Sequence, residues 1–230
     1  MVESMQATAL LHLLQLASPS LPIGGYSYSQ GLEAAIESGR VGDEASARHW
    51  IVQALHEVMA RFEAPIFGRL VRAFELRDAA QVTLWTERFV AARDTSEFRA
   101  ETIQMGYSLG KLATDLKLGD PDLVALLQAQ PEVPLPTALA FAAVALAVPC
   151  EAALLGMLFS WAENQVLACV KTVPLGQVAG QRILLSLRPE LEQAAATART
   201  LQDDELSNWS PGLSLLSMQH EVQYSRIYRS

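Results

Sequence analysis

Apolar residues recur at spacings of three and four along almost the whole chain. Leu10, Leu13 and Leu14, for example, would share one face of a first helix. No stretch alternates between apolar and polar residues with the period of two that is typical of strands. The pattern therefore predicts an all-α fold, organised as a single helical domain of about ten helices over residues 1–230.

Capping residues, glycines and prolines mark where these helices begin and end. Gly39 would close a second helix, Asp43 would cap a third that runs to about Arg61, and Pro65 would start a fourth. The remaining predicted helices begin after Asp78, after Asp94 or Thr95 and after Ser210, and span 121–128, 137–148, 149–173, 177–187 and 189–201.

The stretch 138–162 is long and apolar enough to suggest a membrane span, and only Glu151 is charged in it. Pro149 and Glu151 lie near its middle, where a carboxylate would cost about 3 kcal/mol in the bilayer. We therefore interpret the stretch as two buried core helices broken at Pro149. Because the early apolar run follows Glu3 rather than a basic segment, we expect a cytoplasmic protein without a membrane partner.

The first unusual block, residues 18–33, reads SPSLPIGGYSYSQGLE. Pro19 and Pro22 prevent a continuous helix, and Ser27 followed by Gln30 fits a capping box, so a helix is predicted to begin at Ser27. The block is either a capped helix entry with structural tyrosines or a recognition surface. The candidate partner-binding residues in it are Tyr26, Ser27, Tyr28, Gln30 and Glu33.

A second polar block interrupts the apolar pattern between residues 163 and 181. Buried polar groups need hydrogen-bond partners, so these side chains form either a network inside the core or a patch that another protein recognises. The candidate partner-binding residues here are Glu163, Lys171 and Gln177.

The last block follows an acidic joint at residues 203–205. An apolar stripe at spacings of three and four predicts one amphipathic helix, and it consists of Leu213, Leu216, His220, Tyr224 and Ile227. We expect residues 204–230 to form a partner-binding tail, with the alternative that this helix packs on its own core. The candidates are His220, Glu221, Tyr224 and, most important, Arg226.

Composition and charge narrow the class of partner. Apolar residues make up 50% of the chain and charged residues only 18%, so we expect another chain to cover part of an apolar surface. The net charge of −8 argues against nucleic acid or an anionic membrane as partner. Cys150 and Cys169 lack the spacing of a zinc site or a disulfide framework.

Motifs for catalysis are incomplete. Residues 25–29 resemble a nucleophile elbow but lack its last glycine and its preceding strand, and residues 106–112 are one residue too short for a phosphate loop. His49 and His56 share a helix face without a supporting ligand motif. We therefore expect a protein that is not an enzyme and that has no metal site and no cofactor of its own.

Three blocks together resemble the UreF family of urease accessory proteins, in order and over essentially the whole chain. They are LPIGGYSYSQGLE at 21–33, WAENQVLACVKTVPLGQVAGQ at 161–181 and MQHEVQYSRIYRS at 218–230. The resemblance implies an all-helical cytoplasmic homodimer without catalysis of its own. It also implies three partners, which are UreD (UreH in some organisms), the GTPase UreG and the apo-urease to which the assembly delivers nickel and carbon dioxide.

Three functions remain open at this point. The chain is a scaffold for metallocentre assembly, a direct regulator of GTP hydrolysis by its partner, or a stand-alone helical enzyme. In the second case Arg226 or Arg229 would act as an arginine finger that stabilises the transition-state charge. Turnover assays separate the three, since only a regulator raises hydrolysis by a saturating partner and only an enzyme works alone.

Overall fold

The computed structural model describes residues 6–230, and this part of the chain is all-α, without strands. The periodicity of the sequence is thereby confirmed as helical. The helices are α1 (Ala7–Leu16), α2 (Leu32–Glu37), α3 (Glu44–Ala54), α4 (Ala64–Glu75), α5 (Ala79–Ala91), α6 (Ser96–Asp115), α7 (Pro121–Gln128), α8 (Leu135–Ala145), α9 (Cys150–Thr172), α10 (Gln177–Ser186), α11 (Arg188–Thr200) and α12 (Pro211–Glu221).

Local chemistry sets most helix ends where the sequence predicts them. Three predicted N-caps, Asp43, Asp78 and Thr95, each accept a hydrogen bond from the main-chain N–H three residues ahead. Asp120 does the same before the predicted helix at 121–128. Gly39 follows α2 with a φ of +75°, a conformation that glycine adopts without strain.

The predicted break before Pro65 is wrong, because α3 continues into α4 through a π-helix at Leu55–Glu63. In this segment the Ala64 N–H donates to the carbonyl of Met59, five residues back. A proline inside a regular α-helix lacks its N–H donor and clashes with the carbonyl four residues earlier. The wider π turn relieves both problems, so the helix continues through Pro65.

The core lies where α4 packs against α5, α8 and α9. Phe74 and Phe141 meet edge to face, with ring centroids 6.1 Å apart, and Phe67 and Leu158 are also fully buried. Each such side chain contributes about 2 kcal/mol by leaving water. Apolar packing therefore holds the central helices together.

Among the described residues, one helix, α9, is long and apolar enough to cross a membrane. One side of it, with Leu154, Leu158 and Val166, is buried in the core. It also contacts α1, α2, α3, α10 and α11. These contacts, with the break between α8 and α9 at Pro149, confirm the interpretation as core helices.

Helix α12 ends at Glu221, so the predicted helix through Tyr224 and Ile227 is wrong. The helix packs against α2 and α6 and buries Leu216 and His220. Beyond the helix, the main chain of residues 227–230 binds groups in the first block, as described below. The tail thus lies on the chain's own core, and Tyr224 and Ile227 are left exposed.

Candidate functional site

The three unusual blocks of the sequence meet in space at the N-terminal end of α2. This helix begins only at Leu32, so the predicted capping box of Ser27 and Gln30 is wrong. Ser27 ends a short 3₁₀ turn at Gly25–Ser27, and Gln30 and Gly31 both have positive φ, at 55° and 79°. Two successive left-handed residues turn the chain before the helix can start.

Ser29 joins the first block to the last residues. Its main-chain N–H and its Oγ both donate to the carbonyl oxygen of Ser230, at 2.6 and 2.5 Å. The N–H of Arg229 donates to the carbonyl of Ser27 at 2.8 Å. Ser29 and Ser230 are both buried, so these hydrogen bonds attach the last residues to the first block away from water.

Glu33 holds the last segment by its main chain. Its Oε1 accepts from the Ile227 N–H at 2.7 Å, and its Oε2 accepts from the Tyr228 N–H at 2.9 Å. The same Oε2 lies 3.0 Å from Nε2 of the fully buried His220. A buried carboxylate with three such neighbours is fully paired inside the chain.

His220 lies between two carboxylates. Its Nδ1 is 3.0 Å from both Glu97 oxygens, while its Nε2 faces Glu33. Both ring nitrogens therefore lie within hydrogen-bond distance of a carboxylate oxygen. Arg226 adds a further contact to Glu97 at 3.3 Å. We call Glu33, Glu97 and His220 the tail clamp.

A second buried network is centred on Glu101. Gln30 Nε2 and Ser230 Oγ donate to its two oxygens at 2.5 Å each, and Trp161 Nε1 donates to Gln30 Oε1 at 2.7 Å. Burial raises the pKa of Glu101 to about 7, although the hydrogen bonds from Ser230 and Gln30 oppose this shift. The carboxyl group of Glu101 therefore gains and loses its proton near neutral pH.

The polar block of α9 makes hydrogen bonds to the main chain of the first block. Asn164 Nδ2 donates to the carbonyl of Tyr28 at 2.9 Å, and Gln165 Nε2 donates to that of Ser29 at 3.4 Å. Burial raises the pKa of Tyr28, while a hydrogen bond with Arg229 lowers it. For Asn164 and Gln165 the interpretation as a hydrogen-bonded core network is thereby confirmed.

Lys171 lies above these networks, between two tyrosine rings. Its Nζ is 5.9 Å from the centre of the Tyr26 ring and 5.7 Å from that of Tyr228, within reach of a cation–π interaction. Tyr228 is buried and its pKa is raised to about 12, mainly by that burial. Tyr26 is 58% exposed and Lys171 is also exposed, so part of this cluster faces solvent.

Three side chains of the last segment are also exposed. Tyr224 and Ile227 are exposed, and Arg226 keeps 41% of its side chain in solvent. Ile227 is the chain neighbour of Tyr228, whose ring contacts Lys171. We call the exposed set the docking face, and it consists of Tyr26, Lys171, Tyr224, Arg226 and Ile227.

Three predicted site residues have other surroundings. Gln177 is exposed in the first turn of α10, and Glu163 is half-buried on α9, where burial raises its pKa. Glu221 accepts a hydrogen bond from Ser96 at 2.6 Å. Within residues 6–230, no group of three His, Cys, Asp or Glu side chains could hold a metal ion.

Sequence reasoning missed several residues that build the site, which are Ser29, Glu97, Glu101, Trp161 and Ser230. A signal for two of them existed, because Glu97 and Glu101 are four residues apart on α6. Like charges at this spacing repel unless each has a partner. Ser29 gave no such signal, since its sequence context does not distinguish it from Ser27.

Comparisons with known proteins agree on one family. A family model described as UreF matches residues 41–188. The chain is 78% identical over 226 residues to the "Urease accessory protein UreF" of Janthinobacterium sp. (strain Marseille), covering 98% of this chain and 100% of that protein. It is 67% identical over 222 residues to the protein of that name from Nitrosospira multiformis (strain ATCC 25196 / NCIMB 11849 / C 71), covering 96% and 98%. The chain belongs to the UreF family.

Proposed function

We propose that this chain is a non-catalytic scaffold in urease maturation. It binds UreD (UreH), the GTPase UreG and apo-urease in a cytoplasmic assembly that delivers nickel. Family membership and the printed name of its relatives, urease accessory protein, support this function. The observation that carries it is the docking face, which is assembled from three distant segments and held from beneath by buried networks.

The division between buried and exposed groups favours recognition over catalysis. The carboxylates of Glu33 and Glu101 already have hydrogen-bond partners within the chain, so they are engaged in structure. What reaches solvent is aromatic, aliphatic and cationic, with Tyr26, Tyr224 and Arg226 as examples. Tyrosine and arginine are enriched among the residues that dominate protein–protein binding energy.

Replacement of docking-face residues tests the scaffold. Tyr26→Ala and Lys171→Ala should each weaken binding to UreD by roughly tenfold or more, because a central contact contributes on the order of 2 kcal/mol. Matched controls are Tyr107→Ala and Lys111→Ala on α6, since Tyr107 is 64% exposed and Lys111 is also exposed. Binding is measured by isothermal titration, with the melting temperature recorded for each variant.

The result is informative in both directions. Selective loss of binding in the first pair, at unchanged melting temperature, supports the docking face. Equal binding by all four variants contradicts it, and loss of binding only in proportion to loss of folding indicates a structural role for Tyr26.

A homodimer is part of this proposal, and we place its interface on α1. This helix carries no Asp, Glu, Lys or Arg, and it exposes Leu10, Leu11 and Leu14. Two copies of a chain with net charge −8 repel each other, so an uncharged apolar face is where they meet at least cost. Leu11→Glu should yield monomers by light scattering, whereas Leu76→Glu, at a comparably exposed leucine, should not.

Regulation of GTP hydrolysis is a second candidate function, favoured by one observation. Arg226 is half-exposed and tethered to Glu97, so a guanidinium is presented at the docking face in a defined position. As an arginine finger it would raise hydrolysis by UreG, and Arg226→Lys would lose most of that effect. Unchanged hydrolysis by UreG at a saturating concentration of the chain contradicts this second function.

A further inference from the structure

Helix α12 carries apolar residues on its outer side as well as on its inner side. The inner side packs on the chain and buries Leu216 and His220. The outer side carries four exposed apolar residues, which we call the outer stripe and which are Pro211, Leu215, Met218 and, directly after the helix, Val222. A helix that is apolar on both sides is normally covered on both sides. The composition of α12 thus indicates that another molecule covers the outer stripe.

The spacing of the outer stripe indicates the shape of that molecule. Its residues are separated by four, three and four positions, which is the alternation of a coiled-coil seam. At a rise of 1.5 Å per residue, the stripe is about 16 Å long. A seam with this spacing packs against a second helix that has the same apolar repeat.

Trp209, just before α12, is an exposed aromatic residue on a fixed main chain. Its side chain is 80% exposed. The N–H of Ser207 donates to the carbonyl of Arg61 at 3.2 Å, and Asn208 Nδ2 donates to the carbonyl of Ala92 at 2.6 Å. A tryptophan that is positioned in advance loses little conformational entropy on binding, and tryptophan often dominates binding energy at interfaces. Trp209 therefore supports a binding role for this end of α12.

Charge on one flank of the outer stripe selects the kind of helix that fits. On α12, Ser214 and Glu221 lie on the same flank, seven positions apart. Ser214 Oγ donates to the exposed carboxylate of Asp94, and Glu221 is itself exposed. The other flank carries Gly212 and Gln219, which are uncharged. The stripe thus has an acidic border, which lysine or arginine at the flanking positions of a partner helix would complement.

Two other occupants fit this surface less well. Two copies of α12 side by side would bring acidic borders together, and each chain has a net charge of −8. The same charge opposes binding to an anionic membrane. Arg226, the nearest cation that follows α12 in the sequence, already contacts Glu97.

We propose that the outer stripe and Trp209 bind a cationic amphipathic helix of a partner protein. The apolar repeat of that helix packs along the outer stripe, and its lysine or arginine side chains face Asp94 and Glu221. The proposal goes beyond the scaffold function, because it concerns a second surface that shares no residue with the docking face.

Titration of the full-length protein with two designed peptides tests this surface. Each peptide is a labelled three-heptad helix with leucine at both apolar positions of every heptad, and its flanking positions are all lysine or all glutamate. Fluorescence anisotropy should show one lysine peptide bound per chain, roughly tenfold more tightly than the glutamate peptide at about 0.05 M salt. The difference should shrink at about 0.5 M salt, because the charges involved are exposed.

Two pairs of variants locate the binding. Leu215→Ser should weaken the lysine peptide roughly tenfold, because it removes an apolar contact within the stripe. Its control is Leu185→Ser on α10, since Leu185 is 53% exposed and Leu215 is 59% exposed. Glu221→Lys should lower the preference for the lysine peptide roughly tenfold. Its control is Glu192→Lys at an exposed position of α11, which changes the net charge equally and should nearly keep the preference.

Several results would overturn the proposal. They are equal affinity for the two peptides, equal effects of Leu215→Ser and Leu185→Ser, and an unchanged preference in Glu221→Lys. If Leu215→Ser fails to fold, as its melting curve would show, Glu221→Lys decides. A lysine near the C-terminal end of a helix is favoured by the helix dipole, so this variant should keep α12 folded.

The remaining occupants are tested with the same variant. Sedimentation with phosphatidylglycerol vesicles measures membrane binding, and light scattering measures self-association. A loss of either in Leu215→Ser, but not in Leu185→Ser, would assign the outer stripe to a membrane or to a second copy and overturn the proposal. Tyr26→Ala should leave peptide binding unchanged, so a failure of this proposal is distinguishable from a failure of the docking face.

Discussion

The apolar centre and the polar networks are both buried but stabilise the molecule differently. Around Phe74 and Phe141, regular helices pack by shape, and each buried side chain adds to stability. Around Glu33 and Glu101, the buried side chains instead make hydrogen bonds to segments without regular structure. Such bonds add little net stability, but leaving one unmade is costly. Packing thus holds the helices, whereas the polar networks fix the conformation of the loop and the last segment.

The largest expected effect is in the apolar centre. Phe141→Ala should lower the free energy of unfolding by about 3–5 kcal/mol, because it leaves a cavity against Phe74. Phe159→Ala, at a partly exposed phenylalanine of α9, is the control and should cost far less. Denaturant unfolding followed by circular dichroism measures both, and similar losses would contradict the assignment of the centre to α4 and α8.

Two glycines of α6 test how closely this helix packs against the segment before α8. A Cβ at Gly106 would lie 2.0 Å from the carbonyl oxygen of Val133, so Gly106→Ala should cost about 3 kcal/mol as backbone is pushed apart. At Gly110 the nearest atom is 3.9 Å away, and Gly110→Ala should be neutral or stabilising by up to about 1 kcal/mol. Thermal unfolding compares them. A stable Gly106→Ala variant would show that α6 and the segment before α8 can separate without cost.

In the tail clamp we expect a local effect. Glu33→Gln replaces one acceptor oxygen by an NH₂ group that faces donors, which should cost about 2 kcal/mol. The loss should free the last segment and leave the core folded. Hydrogen exchange should accelerate at the amides of Ile227 and Tyr228 and stay unchanged in α4. Glu221→Gln, at an exposed glutamate, is the control, and uniform acceleration throughout the protein would contradict a local clamp.

An effect of similar size to that of Glu33→Gln is a pH dependence from Glu101. Burial raises its pKa to about 7 in the folded protein, above the ordinary 4.5 of the unfolded chain. The folded state therefore binds the proton more tightly, and this stabilisation is complete below pH 4.5 and is lost as pH rises through 7. Between pH 5 and 7 the loss should be about 2 kcal/mol. Glu101→Gln should flatten this part of the stability curve, as measured by denaturant unfolding at each pH, and an unchanged slope would contradict the assignment.

Features set by neighbouring residues could be predicted from the sequence. The caps at Asp43 and Thr95 and the break at Pro149 depend on residues within a few positions, so local patterns sufficed. The π-helix before Pro65 could not be predicted, because the sequence signal of a proline is the same for a break and for a widened turn. The end of α12 was missed because Glu33, far away in the sequence, binds the main chain of Ile227 and Tyr228.

The candidate site was predicted only in part, because local sequence patterns mark some of its residues and not others. Tyr26 and Lys171 belong to odd polar blocks, and the structure brings them together. That Glu33 and His220 would be buried partners did not follow from the sequence, since their spacing of 187 residues has no local pattern. Their binding to a partner protein stays a prediction, and their internal contacts give them a positioning role beneath the docking face.

Anchoring by main-chain atoms leaves the side chain at position 227 free to change. Within residues 222–230, Glu33 binds the N–H groups of residues 227 and 228, and the Ile227 side chain is exposed to solvent. A different residue at this position would therefore keep the main-chain hydrogen bonds to Glu33 and change only the exposed side chain. The backbone of this segment is held in place while the side chain at position 227 can be replaced. Position 227 is therefore a practical place to introduce a crosslinker or a new binding preference.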